Sequence, residues 1–144
     1  MRYVAVVGPG EAGGPEIAAA EAVGRGLAQA GAAVVCGGLG GVMEAACRGA
    51  AEGGGLTIGF LPGADRAAAN RWVRVAIPTG LGELRNGLIV RAADAVVAVG
   101  GAYGTLSEIA LALKTDVPVF GLGTWQIDGV QVVASPEEAV ERAT

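Results

Sequence analysis

The feature that most constrains the fold is an order of segments that recurs along the chain: a short apolar run, a glycine-rich break and a stretch with helical spacing. The first copy has an apolar run at residues 3–7, a break at Gly8-Pro9-Gly10 and a helical pattern from Pro15. The runs are apolar throughout rather than alternating, which is typical of parallel strands buried on both faces. We therefore predict a three-layer α/β architecture, with a doubly wound, mainly parallel sheet and helices on both faces.

Seven apolar runs are predicted as strands and five other stretches as helices. The strands are expected at residues 3–7, 32–36, 56–61, 72–77, 95–99, 117–120 and 130–133. The helices are expected at residues 15–30, 42–51, 83–93 and 104–113, and from Pro136 onward, where Ser135 and Glu138 form a capping-box pattern. No linker or repeat divides the chain, so residues 1–144 are predicted to be one domain.

Glycine supplies 26 of the 144 residues, and three strand-to-helix loops hold many of them. All three loops are expected at one edge, where the parallel strands have their carboxyl ends. Helix N-termini there present free N–H groups, and glycine lets the backbone approach a phosphate closely. The loops favour an anionic ligand, against the alternative that they only make tight turns and close helix–sheet contacts. The loop glycines are Gly8, Gly10, Gly13, Gly14, Gly37, Gly38, Gly40, Gly41, Gly100, Gly101 and Gly104.

Two common nucleotide sites are excluded by the residues around these loops. Residues 8–13 match the G-x-G-x-x-G pattern that follows the first strand of dinucleotide-binding proteins. Such a site also expects a carboxylate at the end of the second strand, but this strand ends in Cys36-Gly37-Gly38. The P-loop signature G-x-x-x-x-G-K-[ST] is absent as well. Neither NAD nor a P-loop ATPase is therefore predicted.

Composition excludes several further classes of function. The chain has no histidine, so Ser-His-Asp and Cys-His nucleophiles and histidine-ligated metal sites are absent, and no metal site is predicted. Two cysteines, Cys36 and Cys47, are too few for structural zinc and do not form a disulfide framework, which favours a reduced cytoplasmic protein. The net charge is −4 without a basic run, so no nucleic-acid surface is expected. The first apolar run is too short for a signal peptide or a membrane span.

Four side chains near the predicted edge are candidates for contact with the ligand. Glu108 lies four residues after Gly104, on the same helix face; it either faces the pocket or complements the helix dipole in solvent. Arg85 either clamps a phosphate or carboxylate or lies on the surface. Thr105 either donates its hydroxyl to a phosphate or caps its helix. Tyr103 either stacks on a base or packs against a neighbouring subunit.

Three motifs resemble those of the Lonely Guy (LOG) superfamily of Rossmann-like proteins, once labelled possible lysine decarboxylases. Residues 36–43 resemble the family's second glycine loop, residues 100–108 its PGG-x-GT-x-x-E signature, and residues 83–90 its arginine-bearing helix. The resemblance covers nearly the whole chain. It implies a nucleoside 5′-monophosphate phosphoribohydrolase, with Arg85 and Glu108 as catalytic residues. By the resemblance, the amides of Gly101, Gly104 and Thr105 would hold the phosphate. The glycine loops and the motifs together give the expected ligand-binding residues: Gly8, Gly10, Gly37, Gly38, Gly40, Gly41, Met43, Gly100, Gly101, Tyr103, Gly104 and Thr105.

The chain departs from the family's enzymes in ways that point to a second function. Asn86 stands where the enzymes usually carry lysine, and Gly100-Gly101-Ala102 replaces Pro-Gly-Gly. The chain resembles a short branch that includes molybdenum-cofactor carriers, which bind a phosphorylated pterin without catalysis. One alternative is thus a hydrolase of a nucleoside monophosphate. The other is a non-catalytic carrier or sensor that binds a phosphorylated nucleotide or a molybdopterin-type ligand. Neither function requires a further cofactor.

Two other expectations follow from the family resemblance. The lysine decarboxylase label has no support, because the only lysine, Lys114, lies at a helix end away from the loop edge and no pyridoxal phosphate motif is evident. The resemblance also implies a homo-oligomer, at least a dimer. Small side chains on the helices would allow subunits to pack closely against one another.

Overall fold

The computed structural model describes residues 1–144 and contains a single sheet of seven strands. The strands are β1 (Tyr3–Val7), β2 (Ala33–Cys36), β3 (Thr57–Leu61), β4 (Val75–Pro78), β5 (Ala95–Val99), β6 (Val119–Leu122) and β7 (Val130–Val132). Their spatial order is β4-β3-β2-β1-β5-β6-β7, and every neighbouring pair is parallel. The predicted doubly wound α/β sheet is confirmed, and it is parallel throughout rather than mainly so.

Five α-helices cover both faces of the sheet. They are α1 (Gly14–Gln29), α2 (Val42–Glu52), α3 (Asn86–Ala92), α4 (Tyr103–Lys114) and α5 (Pro136–Ala143). One apolar core joins the sheet to α1, α2 and α5, and a second joins it to α3 and α4. Short 3₁₀ turns at Arg66–Ala68 and Gly82–Arg85 complete the structure. None of the helices combines the length and apolarity that a membrane span requires.

The central strand β1 determines where a ligand can bind. Its register places Val4 beside Val34 of β2 on one side and beside Ala95 of β5 on the other. The chain leaves β1 for α1 on one face of the sheet, and it leaves β5 for α4 on the opposite face. The two loops therefore diverge at the carboxyl edge, and this topological switch point is where open α/β sheets bind ligands.

The largest difference from the sequence prediction is at residues 83–93, expected as one helix. Gly80 and Gly82 have φ values of 68° and 60°, so the chain turns tightly there and continues as the 3₁₀ turn Gly82–Arg85 before α3 begins. Leu84 is 80% exposed, which places it outside the core. Arg85 therefore lies at the junction of two elements and not on a regular helix.

Strands β2 and β3 begin one residue later than expected, and β4 and β6 begin two or more residues later, each of these two for a local reason. Residues 72–74 do not join β4, because the Thr57 hydroxyl donates to Trp72 O and accepts from the Arg74 N–H. Strand β6 begins at Val119 because Pro118 has no N–H group to donate to the ladder.

The predicted cap of the last helix is present in a shifted form. Ser135 Oγ accepts from the Glu138 N–H at 3.1 Å, as a capping box requires. The Glu138 carboxylate, however, accepts from the N–H of Ala134, one residue before the cap.

Candidate functional site

A pocket of about 510 Å³ opens at the switch point between β1 and β5. Its volume lies within the usual range for small-molecule sites. The loops after β1 and β2, the N-terminus of α4 and the turn before α3 all contribute to its wall. The lining residues are Gly8, Pro9, Gly10, Gly37, Leu39, Met43, Pro62, Glu83, Arg85, Asn86, Ala102, Tyr103, Gly104, Thr105, Ser107 and Glu108.

Nine of the fourteen residues predicted for the site lie in the pocket wall. They are Gly8, Gly10, Gly37, Met43, Arg85, Tyr103, Gly104, Thr105 and Glu108. The other five do not line the pocket: Gly38, Gly40, Gly41, Gly100 and Gly101.

The glycines outside the wall hold the loops in shape. Gly41 has a φ of 62°, and a Cβ there would lie 2.3 Å from the carbonyl oxygen of Pro9. The neighbouring Val42 N–H donates to that same oxygen at 3.0 Å, which joins the second loop to the first. Gly100 has a φ of 70°, and a Cβ there would meet the Glu16 carboxylate at 2.6 Å. At Gly41 and Gly100, tight turns and close contacts therefore account for the presence of glycine, which was the expected alternative to ligand binding.

The N-terminus of α4 faces the pocket and offers backbone donors. The first N–H groups of a helix have no acceptor within it, and here the first loop-to-helix bond is from the Leu106 N–H to Ala102 O. Tyr103, Gly104 and Thr105, which precede Leu106, all line the pocket. Their amides and the helix dipole favour a negatively charged group at this end of the helix.

Thr105 has a structural bond in addition to its place in the wall. Its Oγ1 accepts from the Ala102 N–H at 3.3 Å, so the side chain caps α4. Capping was one of the two roles expected for Thr105, and donation to a phosphate was the other. A hydroxyl that accepts a hydrogen bond keeps its own proton to donate.

Arg85 is buried, with 8% of its surface exposed, and it is the only cation in the pocket wall. Its Nε donates to Phe60 O at 2.8 Å, one terminal nitrogen donates to Asn86 Oδ1, and the other lies 3.4 Å from Gly37 O. These bonds use three of its five N–H groups. The guanidinium therefore fastens β3 to the second glycine loop and leaves two N–H groups without a protein partner.

Glu108 lies one turn beyond Gly104 on α4, and it is also buried in the pocket wall, with 8% of its surface exposed. Burial raises the pKa of its carboxyl from 4.5 to about 8, and the positive charge of Arg85 opposes part of that rise. The predicted pair of Arg85 and Glu108 thus lies in one pocket, with Glu108 largely neutral near pH 7.

Tyr103 stands at the pocket mouth with 84% of its surface exposed. Its ring stacks on Trp125, with ring centroids 6.2 Å apart and an interplanar angle of 23°. Trp125 is fixed in turn, since its Nε1 donates to Ala102 O at 3.0 Å. Tyr103 therefore presents a supported aromatic surface beside the helix N-terminus.

Three features near the pocket were not assigned to the site from the sequence. Glu83 and Asn86 line the pocket, although they lie within a motif that singled out only Arg85. Asn86 holds the Arg85 guanidinium, so its place next to Arg85 in the sequence was the available signal. Trp125 follows β6, and no motif marks it.

The two cysteines lie beneath the second glycine loop. Cys36 and Cys47 are buried free thiols with their sulfur atoms 3.4 Å apart, and the Gly38 N–H donates to Cys36 Sγ. Hydrogen bonding to Cys36 and burial raise the pKa of the Cys47 thiol, which keeps it protonated. The pair supports the loop from inside the core.

A doubly wound parallel sheet with an anion-type pocket at its switch point defines a Rossmann-like protein. Within that class, the chain belongs to the SLOG cluster4 family, whose model matches residues 1–143. This confirms the resemblance to the LOG superfamily that the motifs indicated. An uncharacterized protein of Archaeoglobus fulgidus is 42% identical over 141 residues, which cover 97% of this chain and 93% of the relative.

Two solved structures are similar over almost the whole chain. The molybdenum cofactor binding protein of the phototrophic bacterium Rippkaea orientalis has a TM-score of 0.93 and 38% identity, covering 98% of this chain and 94% of that one. The molybdenum cofactor carrier protein of Chlamydomonas reinhardtii has a TM-score of 0.88 and 34% identity, with the same coverage. These similarities favour the non-catalytic carrier over the nucleoside monophosphate hydrolase.

Proposed function

We propose that the protein is a carrier that binds a phosphorylated pterin of the molybdenum-cofactor type at the edge pocket and releases it unchanged. The observation that carries the proposal is the pocket itself, which combines the free amides of a helix N-terminus with a supported aromatic surface. The amides suit a phosphate, and the Tyr103 ring suits the flat face of a heterocycle. The similarity to two molybdenum cofactor proteins supports the same ligand class.

The chemistry of the pocket supports retention of the ligand more than its hydrolysis. The two roles carried over from the family's enzymes, orienting water and stabilising a developing positive charge, are served best by an ionised carboxylate, whereas burial keeps Glu108 largely neutral near pH 7. Most donors of Arg85 bind Phe60, Asn86 and Gly37, so its position is determined by the protein. Asn86 also stands where the related enzymes carry lysine, which leaves the pocket with one cation.

Analysis of the ligand that co-purifies with the protein tests the carrier function. The protein would be purified without oxygen from cells that make molybdenum cofactor, and the ligand released by denaturation would be identified by mass spectrometry. We expect a phosphorylated pterin with the wild type and with Tyr103→Phe, which keeps the aromatic ring. Tyr103→Ala is expected to retain several-fold less. Release of a nucleotide in place of a pterin would contradict the proposal.

Hydrolysis of a nucleoside monophosphate is the second candidate, because the structure brings Arg85 and Glu108 into one pocket. Incubation with a panel of nucleoside 5′-monophosphates, followed by chromatography for the free base, separates the two functions. A carrier releases no base from any of them. Base release by the wild type that disappears in Glu108→Ala would establish the enzyme in place of the carrier.

We further propose that the protein acts as a homo-oligomer. Three leucines are exposed near α3: Leu81 just before the 3₁₀ turn (47%), Leu84 on that turn (80%) and Leu88 on α3 (39%). Burial of such side chains favours association.

A further inference from the structure

Glu108 differs from the other buried polar side chains of the protein. Five polar or charged residues are buried, and Thr57, Arg85, Asn86 and Thr105 each form hydrogen bonds within the protein. Glu108 forms none: burial and the charge of Arg85 are the two influences on its carboxyl. Buried polar groups are normally hydrogen-bonded, and this one lines a pocket. The only fully buried side-chain oxygen without a partner is that of Thr124, so the Glu108 carboxyl is open to the pocket, where a ligand oxygen can bond to it.

The charges around Glu108 determine which of its protonation states can face an anion. Arg85 and Glu83 are the other charged groups of the pocket wall, and Tyr103 is its exposed titratable group. The Cys36 thiol lies near enough for the charges of Glu108 and Arg85 to act on it. With both carboxyls ionised, the wall carries one net negative charge, which opposes an anionic ligand. With Glu108 neutral, the wall has no net charge and one additional donor.

We propose that Glu108 binds the anionic ligand in its neutral form, donating its carboxyl proton in a hydrogen bond to a phosphate-type oxygen, so that ligand binding is linked to proton uptake. The inference rests on the proposed function in one respect, because it requires an anion in this pocket. No covalent bond forms or breaks in this step, and the proton stays on Glu108 while the ligand oxygen accepts the hydrogen bond. A nearby anion strengthens the neutral state of the carboxyl, so proton and ligand each favour the binding of the other.

The pH dependence of binding follows from these contacts. Burial raises the pKa of Glu108 to about 8 before a ligand enters, and an anion raises it further. Below about pH 8 the carboxyl is neutral with and without ligand, so the affinity is constant. Above that value, binding requires a proton from solution, and the affinity falls by up to about tenfold per pH unit. A ligand would thus be held at neutral pH and released in alkaline solution.

Isothermal titration calorimetry with adenosine 5′-monophosphate tests the inference. Phosphate monoesters lose their second proton near pH 6, so the phosphate of this probe stays doubly charged from about pH 7 to about pH 9.5. We expect the wild type to bind more weakly above about pH 8 and to take up most of one proton per bound ligand at about pH 9. Buffers with different ionisation enthalpies measure that uptake. Glu108→Gln keeps a donor but does not titrate, so its affinity is expected to be constant with pH and its uptake zero.

Three other outcomes would overturn the inference, and they differ in what they imply for the proposed function. Wild-type binding without proton uptake would overturn the role of Glu108 and leave the anion site intact. Loss of affinity with pH in Glu108→Gln equal to that of the wild type would assign the linkage to a group other than Glu108. Binding of neither this nucleotide nor sulfate at about pH 7, with thermal melting showing folded protein, would overturn the general anion site and with it the role of Glu108, while the ligand that co-purifies decides the carrier function separately.

Discussion

At the scale of single residues, the candidate site depends on one buried cation and one buried acid. The i,i+4 spacing of Gly104 and Glu108 predicts that both face the pocket, and the structure has this arrangement. The burial of Arg85 was not predictable, because its carbonyl partners are Phe60 and Gly37, which are distant in sequence. A local pattern indicates the face of a helix on which a residue lies. It does not indicate which strand or loop packs over that residue.

The first prediction concerns the stability cost of the buried Glu108. Its pKa is about 8 in the folded protein against an ordinary 4.5, so the folded state holds a proton that the unfolded chain releases between these values. Stability is therefore lost as pH rises from about 4.5 to about 8. Glu108→Gln removes that loss, and we expect it to be more stable than the wild type by roughly 2–5 kcal/mol at about pH 8.5. Urea unfolding measures the difference.

The same measurement at about pH 4.5 is the control. There the carboxyl is mostly protonated in the folded state, so Glu108→Gln and the wild type are expected to differ by less than about 1 kcal/mol. An equal difference at both pH values would mean that the substitution acts through packing and that the acid is not held neutral by burial.

At the scale of secondary structure elements, glycine also serves the contact between two helices. A Cβ at Gly24 of α1 would lie 2.0 Å from Ala46 O, and one at Gly49 of α2 would lie 2.0 Å from Glu21 O. The backbones of α1 and α2 thus touch where they cross, and no larger residue fits. Gly24 recurs at helical spacing with Ala20, Val23 and Leu27, which indicates the apolar face of α1, but the identity of the facing helix depends on how the chain winds around the sheet.

The second prediction is that alanine at either crossing position is strongly destabilising. The added methyl group meets backbone atoms rather than a flexible side chain, so the helices must separate and the packing beneath them is lost. We expect Gly24→Ala and Gly49→Ala each to cost at least about 2 kcal/mol in the free energy of unfolding. Thermal melting and urea unfolding measure this loss.

Gly87→Ala is the matched control for the crossing variants. Gly87 lies within α3, and a Cβ there would meet nothing within 4 Å. Alanine is the better helix former, so this substitution is expected to stabilise the protein by about 0.5–1 kcal/mol. If Gly24→Ala were as stable as Gly87→Ala, the close crossing of α1 and α2 would be wrong.

At the scale of the whole molecule, the sequence predicts the layers and the functional edge, because both follow from local order. Continuous apolar runs that alternate with helices imply parallel strands, and parallel strands place their following loops together. Local order does not predict which loop glycines line the pocket and which only pack against the protein. Gly37 lines the pocket while Gly38 packs against Leu61, and two neighbouring glycines look alike in a sequence. Their roles depend on side chains brought in from other elements.

The last prediction concerns association of whole molecules. Leu84 is 80% exposed, lies directly before Arg85 and projects from the turn that precedes α3. If the protein is a homo-oligomer through this face, Leu84→Glu places a charge in an apolar contact that has no partner for it, and association weakens by tenfold or more. Light scattering coupled to size-exclusion chromatography is expected to give a multiple of 14.1 kDa for the wild type and a monomer for the variant.

Val132→Glu controls for the general effect of a new surface charge. Val132 is 74% exposed and lies on β7, at the far edge of the sheet, where it does not line the pocket. In light scattering, this variant is expected to have the same oligomeric mass as the wild type. A monomeric wild type at micromolar concentration would contradict the oligomer, whereas dissociation by Val132→Glu alone would move the contact to the β7 edge. With the contact at Leu84, the interface lies next to the arginine that holds the second glycine loop, and association would then also restrain the wall of the pocket.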